Sequence, residues 1–101
     1  MPFEVIPSRT FASQVTTISQ KSKTLILSKL MLAKENPYRF KSLNSGLHSR
    51  VFRIRLNVDG IESRVNYILD NFTLIVIGIT NRKDDYRELD ELIQKALQEQ
   101  N

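Results

Sequence analysis

The chain has 101 residues, of which 41% are hydrophobic and 26% charged. That is enough for one domain with a modest core, residues 1–101, and too apolar for a disordered segment. With no cysteine and a single histidine, His48, it excludes disulfides, thiolate metal sites and His-rich zinc sites, so no metal or other cofactor is expected.

The net charge of +4 is unevenly spread. Residues 1–58 carry ten Lys or Arg against two acids, Glu4 and Glu35, hence +8; residues 59–101 carry five against nine, hence −4. A basic body suits a polyanion such as nucleic acid, because each neutralised phosphate releases counterions. The plainer reading is net charge for solubility. The longest apolar run falls far short of the ~20 residues that span a membrane. The opening MPFEVIP lacks the basic start and apolar stretch of a signal peptide. A cytoplasmic protein without membrane contact is expected.

Phe3 to Ile6 alternates and stops at Pro7, which predicts a short strand. Ser8 is a candidate cap for a helix carrying Phe11, Val15 and Ile18 at helical spacing, weakened by Thr16-Thr17. Ser22 is a second candidate cap, before a strong helix over 25–34 in which Leu27, Leu30, Met31 and Lys34 cycle the faces. Asn36-Pro37 ends it, because the residue before proline avoids the α region. Residues 36–50 read as an irregular basic loop.

Three strands follow. In VFRIRLNV, Phe52, Ile54, Leu56 and Val58 share one face, and Arg53, Arg55 and Asn57 the other. Asp59-Gly60 is a strong two-residue hairpin signal. In IESRVNYIL, Glu62, Arg64 and Asn66 oppose Val65, Tyr67 and Leu69, and Asp70-Asn71 marks a second turn. FTLIVIGI is apolar on both faces, which predicts a central strand covered on both sides. From Asp84 or Asp85, a stripe of Tyr86, Leu89, Leu92, Ile93, Ala96 and Leu97 predicts an amphipathic helix. The fold class is α+β: N-terminal strand, helix hairpin, three-stranded antiparallel meander and C-terminal helix.

Pairing around Asp59-Gly60 sets Arg55 opposite Arg64. Like charges placed there repel, so a chain selected for stability alone would avoid them, and a site for an anion would need them. The alternative is a solvated face on which Glu62 or Asn57 neutralises part of the charge.

ENPYRFKSL closing the helix hairpin, then VFRIR, SRVNYIL and an apolar strand closed by NRKDDY, together resemble the RelE/ParE toxin superfamily, on its RelE side. The resemblance covers most of the chain, from the first strand to at least Tyr86. It implies a ribosome-dependent endoribonuclease that cuts mRNA in the A site, held inactive by a cognate antitoxin. It also implies a toxin that is monomeric alone and oligomeric with its antitoxin. Arg53 and Arg55 fall on a pair of basic strand residues, and Arg64 on the arginine before the V-x-Y strand core. Arg82 and Tyr86 fall on the H-R-K-x-x-Y ending, in which Asn81 replaces the histidine. The loop NPYRFKSLNSG lacks the glutamate that some relatives carry, so a Glu/His acid–base pair is not expected.

Arginine is a poor proton donor or acceptor, but its planar fork suits phosphate oxygens. Arg55, Arg64 and Arg82 are therefore candidates for charge stabilisation, and Tyr86 for acid–base work or base stacking. Tyr86 as a packing residue at the helix start is the alternative. Arg53, Lys83, Arg87, Arg50 and Lys41 are candidate RNA contacts, and His48 reads as a surface loop residue. Two other functions stay open: a ParE-like inhibitor of DNA gyrase, and a catalytically inactive RNA- or protein-binding module of the same fold.

Overall fold

The computed structural model describes residues 3–81 and 86–99. The expected α+β architecture is present, but the meander forms only the middle of a five-stranded mixed sheet. In chain order the elements are β1 (Glu4–Pro7), α1 (Arg9–Val15), α2 (Gln20–Glu35), β2 (Lys41–Leu43), β3 (Val51–Val58), β4 (Ile61–Asp70), β5 (Thr73–Thr80) and α3 (Tyr86–Glu99). The strand order is β1-β5-β4-β3-β2. β1 runs parallel to β5, and the other neighbours are antiparallel. β5 is thus internal, as its apolar faces predict, although β4 is the middle strand.

Both hairpin turns follow from local chemistry. Asp59 and Gly60 have φ of 50° and 85°, the left-handed pair of a turn whose twist matches the flanking strands. Asn71 has φ 56°, which asparagine tolerates better than most residues.

The helices depart from expectation in three places. Ser8 does cap α1, its Oγ accepting from the Phe11 N–H at 3.1 Å, but α1 stops at Val15 and leaves Ile18 outside. The cap of α2 is Ser19, not Ser22; Ser19 Oγ accepts from the Ser22 N–H at 3.1 Å. Ser22 lies inside the helix, where its hydroxyl donates to the Asp59 carboxylate at 2.8 Å and accepts from the Asp59 N–H at 3.0 Å. The buried stripe of α2 is Ser22, Ile26, Leu30 and Ala33, while Leu27 and Met31 are exposed. The segment read as an irregular loop holds a 3-10 turn, Pro37–Arg39, and the edge strand β2.

Two cores sandwich the sheet. On one face Phe11, Ile26, Leu30 and Ala33 pack with Phe52, Ile54, Val65, Tyr67, Leu74 and Val76. Phe52 and Tyr67 stack at a centroid distance of 5.3 Å, and the Tyr67 hydroxyl donates to the Pro37 carbonyl. On the other face α3 lays Leu89, Leu92, Ile93 and Ala96 over Val51, Ile68, Ile75 and Ile77. Each fully buried Leu or Ile in that contact contributes roughly 1.5–3 kcal/mol. Tyr86, counted in the stripe from its spacing, is instead 55% exposed. No helix among the described residues is long and apolar enough to cross a membrane.

Candidate active site

Alternation along the strands puts Val51, Arg53, Arg55 and Asn57 on the same side of the sheet. Their cross-strand partners are Ile68, Asn66, Arg64 and Glu62. This is the side that α3 covers, but α3 packs on the Val51–Ile68–Ile75 end. Toward the Asp59-Gly60 turn the same side carries charge. One row across the sheet reads Lys41, Arg53, Asn66 and Gly78, and the next reads Arg55, Arg64 and Thr80. The register places Arg55 directly opposite Arg64, as the turn chemistry predicts.

The two guanidiniums differ in setting. The Arg55 side chain is 56% exposed and Arg64 only 5%. Arg64, a candidate for an anion site, is therefore largely enclosed rather than open to solvent. It is a middle-strand residue, enclosed by its neighbours, and it donates from Nη1 to the Asn81 carbonyl at 3.4 Å. Among the described residues its Nε is buried without a hydrogen-bond partner, and so is the Nε of half-buried Arg53. A buried donor without a partner costs free energy.

Glu62 is the residue whose part the sequence understated. Its Oε1 is paired with Arg55 Nη2 and lies 3.9 Å from Arg64 Nη2. A carboxylate thus stands between the two cross-strand arginines and offsets their repulsion. The signal was available: Glu62 precedes Arg64 by two residues, on the same strand face.

Asn66 is a second addition. Its side-chain amide is buried and donates to the Gly78 carbonyl and to Thr80 Oγ1, both at 3.1 Å. This fixes β5 against β4 beside a register shift between Asn66 and Tyr67. Gly78 sits there with φ 152°, and an added Cβ would lie 2.8 Å from Leu92 Cδ2.

The remaining candidates are spread around this centre. Lys41 is exposed and pairs across the edge with Arg53. Arg50 is exposed just before β3, and Arg87 is exposed in the first turn of α3 beside Tyr86. Arg82 and Lys83 lie outside the described residues, as does the predicted helix start at Asp84 or Asp85. His48 accepts from the Arg50 N–H through Nδ1 at 3.1 Å, a local loop contact. Among the described residues no three His, Asp or Glu gather as metal ligands would.

No family model matches the sequence, and no curated protein matches it. The solved structures give a different result. The E. coli toxin RelE, as a mutant in the free state, superimposes with a TM-score of 0.70 over 98% of both chains, at 15% sequence identity. The fold is that of RelE. The β1-to-α3 path is the RelE-like path, and the arginine face described above is built on the RelE-like sheet.

Proposed function

We propose that this RelE-like chain is the toxin of a type II toxin–antitoxin pair, a ribosome-dependent endoribonuclease that cuts mRNA in the A site. The observation that carries this reading is the Arg55–Arg64 pair, set directly opposite one another across β3 and β4. Such a pair needs a counter-ion, and the one it has, the Glu62 carboxylate, is 61% exposed, so a phosphate can take its place.

Cleavage by the 2′-hydroxyl requires its deprotonation, charge relief at the pentavalent phosphorus, and protonation of the departing 5′-oxygen. Arg55, Arg64 and Arg82 supply the charge relief. Tyr86 supplies a proton-transfer group or a stacking surface, and its exposure leaves it accessible to RNA. Arg53, Lys83, Arg87, Arg50 and Lys41 hold backbone phosphates. The cognate antitoxin is the expected protein partner. With no histidine immediately before Arg82 and no acid in the loop 36–50, the A site orients the reacting hydroxyl.

The test is induced expression followed by mapping of mRNA 5′ ends, with DNA gyrase supercoiling assayed in parallel. Codon-resolved cuts support the nuclease. Growth arrest without cuts, together with lost supercoiling, supports the ParE-like alternative. A catalytically inactive binding module is favoured by one observation, the enclosure of Arg64 and its nearness to Glu62; neither cutting nor gyrase inhibition would then be seen.

A further inference from the structure

We infer that Glu62 is the general base of this site, taking the proton from the attacking 2′-hydroxyl. The inference rests on the nuclease reading above and goes beyond it, because Asn81 stands where the resemblance would put a histidine and the loop 36–50 holds no glutamate. Three properties of Glu62 carry it. Its carboxylate lies between Arg55 and Arg64, where a phosphodiester held by those arginines would bring its 2′-hydroxyl alongside. Its side chain is 61% exposed, so substrate can reach it. Two guanidiniums beside it favour the ionised form, which is the form a base needs.

The same geometry makes the base respond to substrate. Without RNA, Glu62 shares the arginines' charge. When phosphate oxygens take the guanidinium forks, the carboxylate loses those partners and gains an anionic neighbour. The exchange turns the carboxylate from the arginines toward the hydroxyl to be deprotonated.

The step balances without a co-reactant. Glu62 accepts the 2′-hydroxyl proton as the 2′-oxygen bonds to phosphorus. The bond from phosphorus to the 5′-oxygen breaks, and that oxygen keeps the electron pair. It takes a proton from the Tyr86 phenol, leaving a 2′,3′-cyclic phosphate and a 5′-hydroxyl. Solvent then restores both side chains.

Single-turnover cleavage of ribosome-bound mRNA across a pH series tests this, with the parent, Glu62→Gln and Glu62→Ala. Ribosome binding and thermal unfolding are measured on the same samples. Glu62→Gln should bind ribosomes as the parent does, cleave ~10²–10⁴-fold more slowly, and lose the acidic limb of the parental pH–rate profile. Added formate should restore part of the Glu62→Ala rate, which a structural role or a mere counter-ion would not allow. Glu62→Gln cutting at or above the parental rate, an unchanged acidic limb, or no rescue by formate overturns the inference while leaving the nuclease reading intact. A parent that cuts no ribosome-bound mRNA overturns both.

Discussion

The Arg64 guanidinium donates through Nη1 to the main-chain carbonyl of Asn81, 3.4 Å away, and so holds the exit of β5. One side chain thus joins the middle strand to the segment that leads, five residues on, to Tyr86. Arg64→Ala should therefore act twice. Cleavage should fall ~10²–10³-fold, as for a lost donor to a developing anion. Stability should fall by about 1.5–3 kcal/mol, the range for hydrogen bonds to charged groups. Arg64→Lys keeps the charge but not the fork, and should recover only part of the rate. Single-turnover rates and urea titrations of the two variants separate the effects. A parental rate for Arg64→Ala would remove Arg64 from the site.

Tyr86 gives a cleaner substitution. It is 55% exposed at the first position of α3, so Tyr86→Phe removes a hydroxyl without opening a cavity. Stability should change by less than about 0.5 kcal/mol. Cleavage should fall ~10²–10⁴-fold if the hydroxyl moves a proton. A parental rate would leave the ring a stacking role only.

Asp59 predicts an acid dependence of folding. The Ser19 hydroxyl, then the Ser22 hydroxyl and the Ser19 N–H, hold its carboxyl below the ordinary value of 3.8. A group whose folded value is depressed stabilises the protein above its unfolded value, and that contribution disappears as pH falls through the folded one. Asp59→Asn keeps a residue suited to φ 50° and removes the charge. Its melting temperature should lie below the parent's at pH 6, and the gap should close toward pH 2. A gap that stays constant with pH would show that the carboxylate's charge is not what the serines hold.

Gly78→Ala should destabilise the fold by roughly 1–3 kcal/mol, since it combines an unfavourable backbone angle with a close approach to Leu92. Leu92→Ala on its own should also destabilise, by loss of buried volume. The double variant should be less unstable than the sum of the two, because the smaller side chain removes the clash. Strict additivity in chemical denaturation would place the cost in the backbone and at Gln14 Oε1, 3.2 Å from the added Cβ.

Much of the sheet was legible in the sequence because turn chemistry fixes register. Asp59-Gly60 sets Val58 against Ile61, and every pair from there to Arg55–Arg64 follows by counting. The parallel pairing of β1 with β5 was not legible, since nothing local in EVIP names a partner so far along the chain. β2 was hidden because three residues, Lys41 to Leu43, give too short a pattern to separate from loop. The α2 cap was misread because Ser19 and Ser22 carry the same hydroxyl, and the choice depends on Asp59, which is distant in sequence. In the candidate site, the arginine face followed from alternation. The burial of Arg64 did not, because enclosure is set by neighbouring strands and helices. The place of Glu62 was half legible: its strand face was plain, but its position between two guanidiniums needed the packed side chains.

The parallel pairing also orders the events of synthesis. Glu4 lies beside Thr73, 69 residues later in the chain. At ~5–20 residues per second, the first strand is translated roughly 3–14 s before its partner. Until then α1 and α2 have no β5 to close against, whereas β3 and β4 can zip through their own tight turn. A ribosome-stalled nascent chain ending before Thr73 should therefore leave its first strand open to protease, and one carrying the whole chain on a linker long enough to clear the exit tunnel should protect it. For a molecule of this fold, completion of the sheet is a late event, and the newborn chain passes through a period in which its arginine hairpin exists before the framework that aims it.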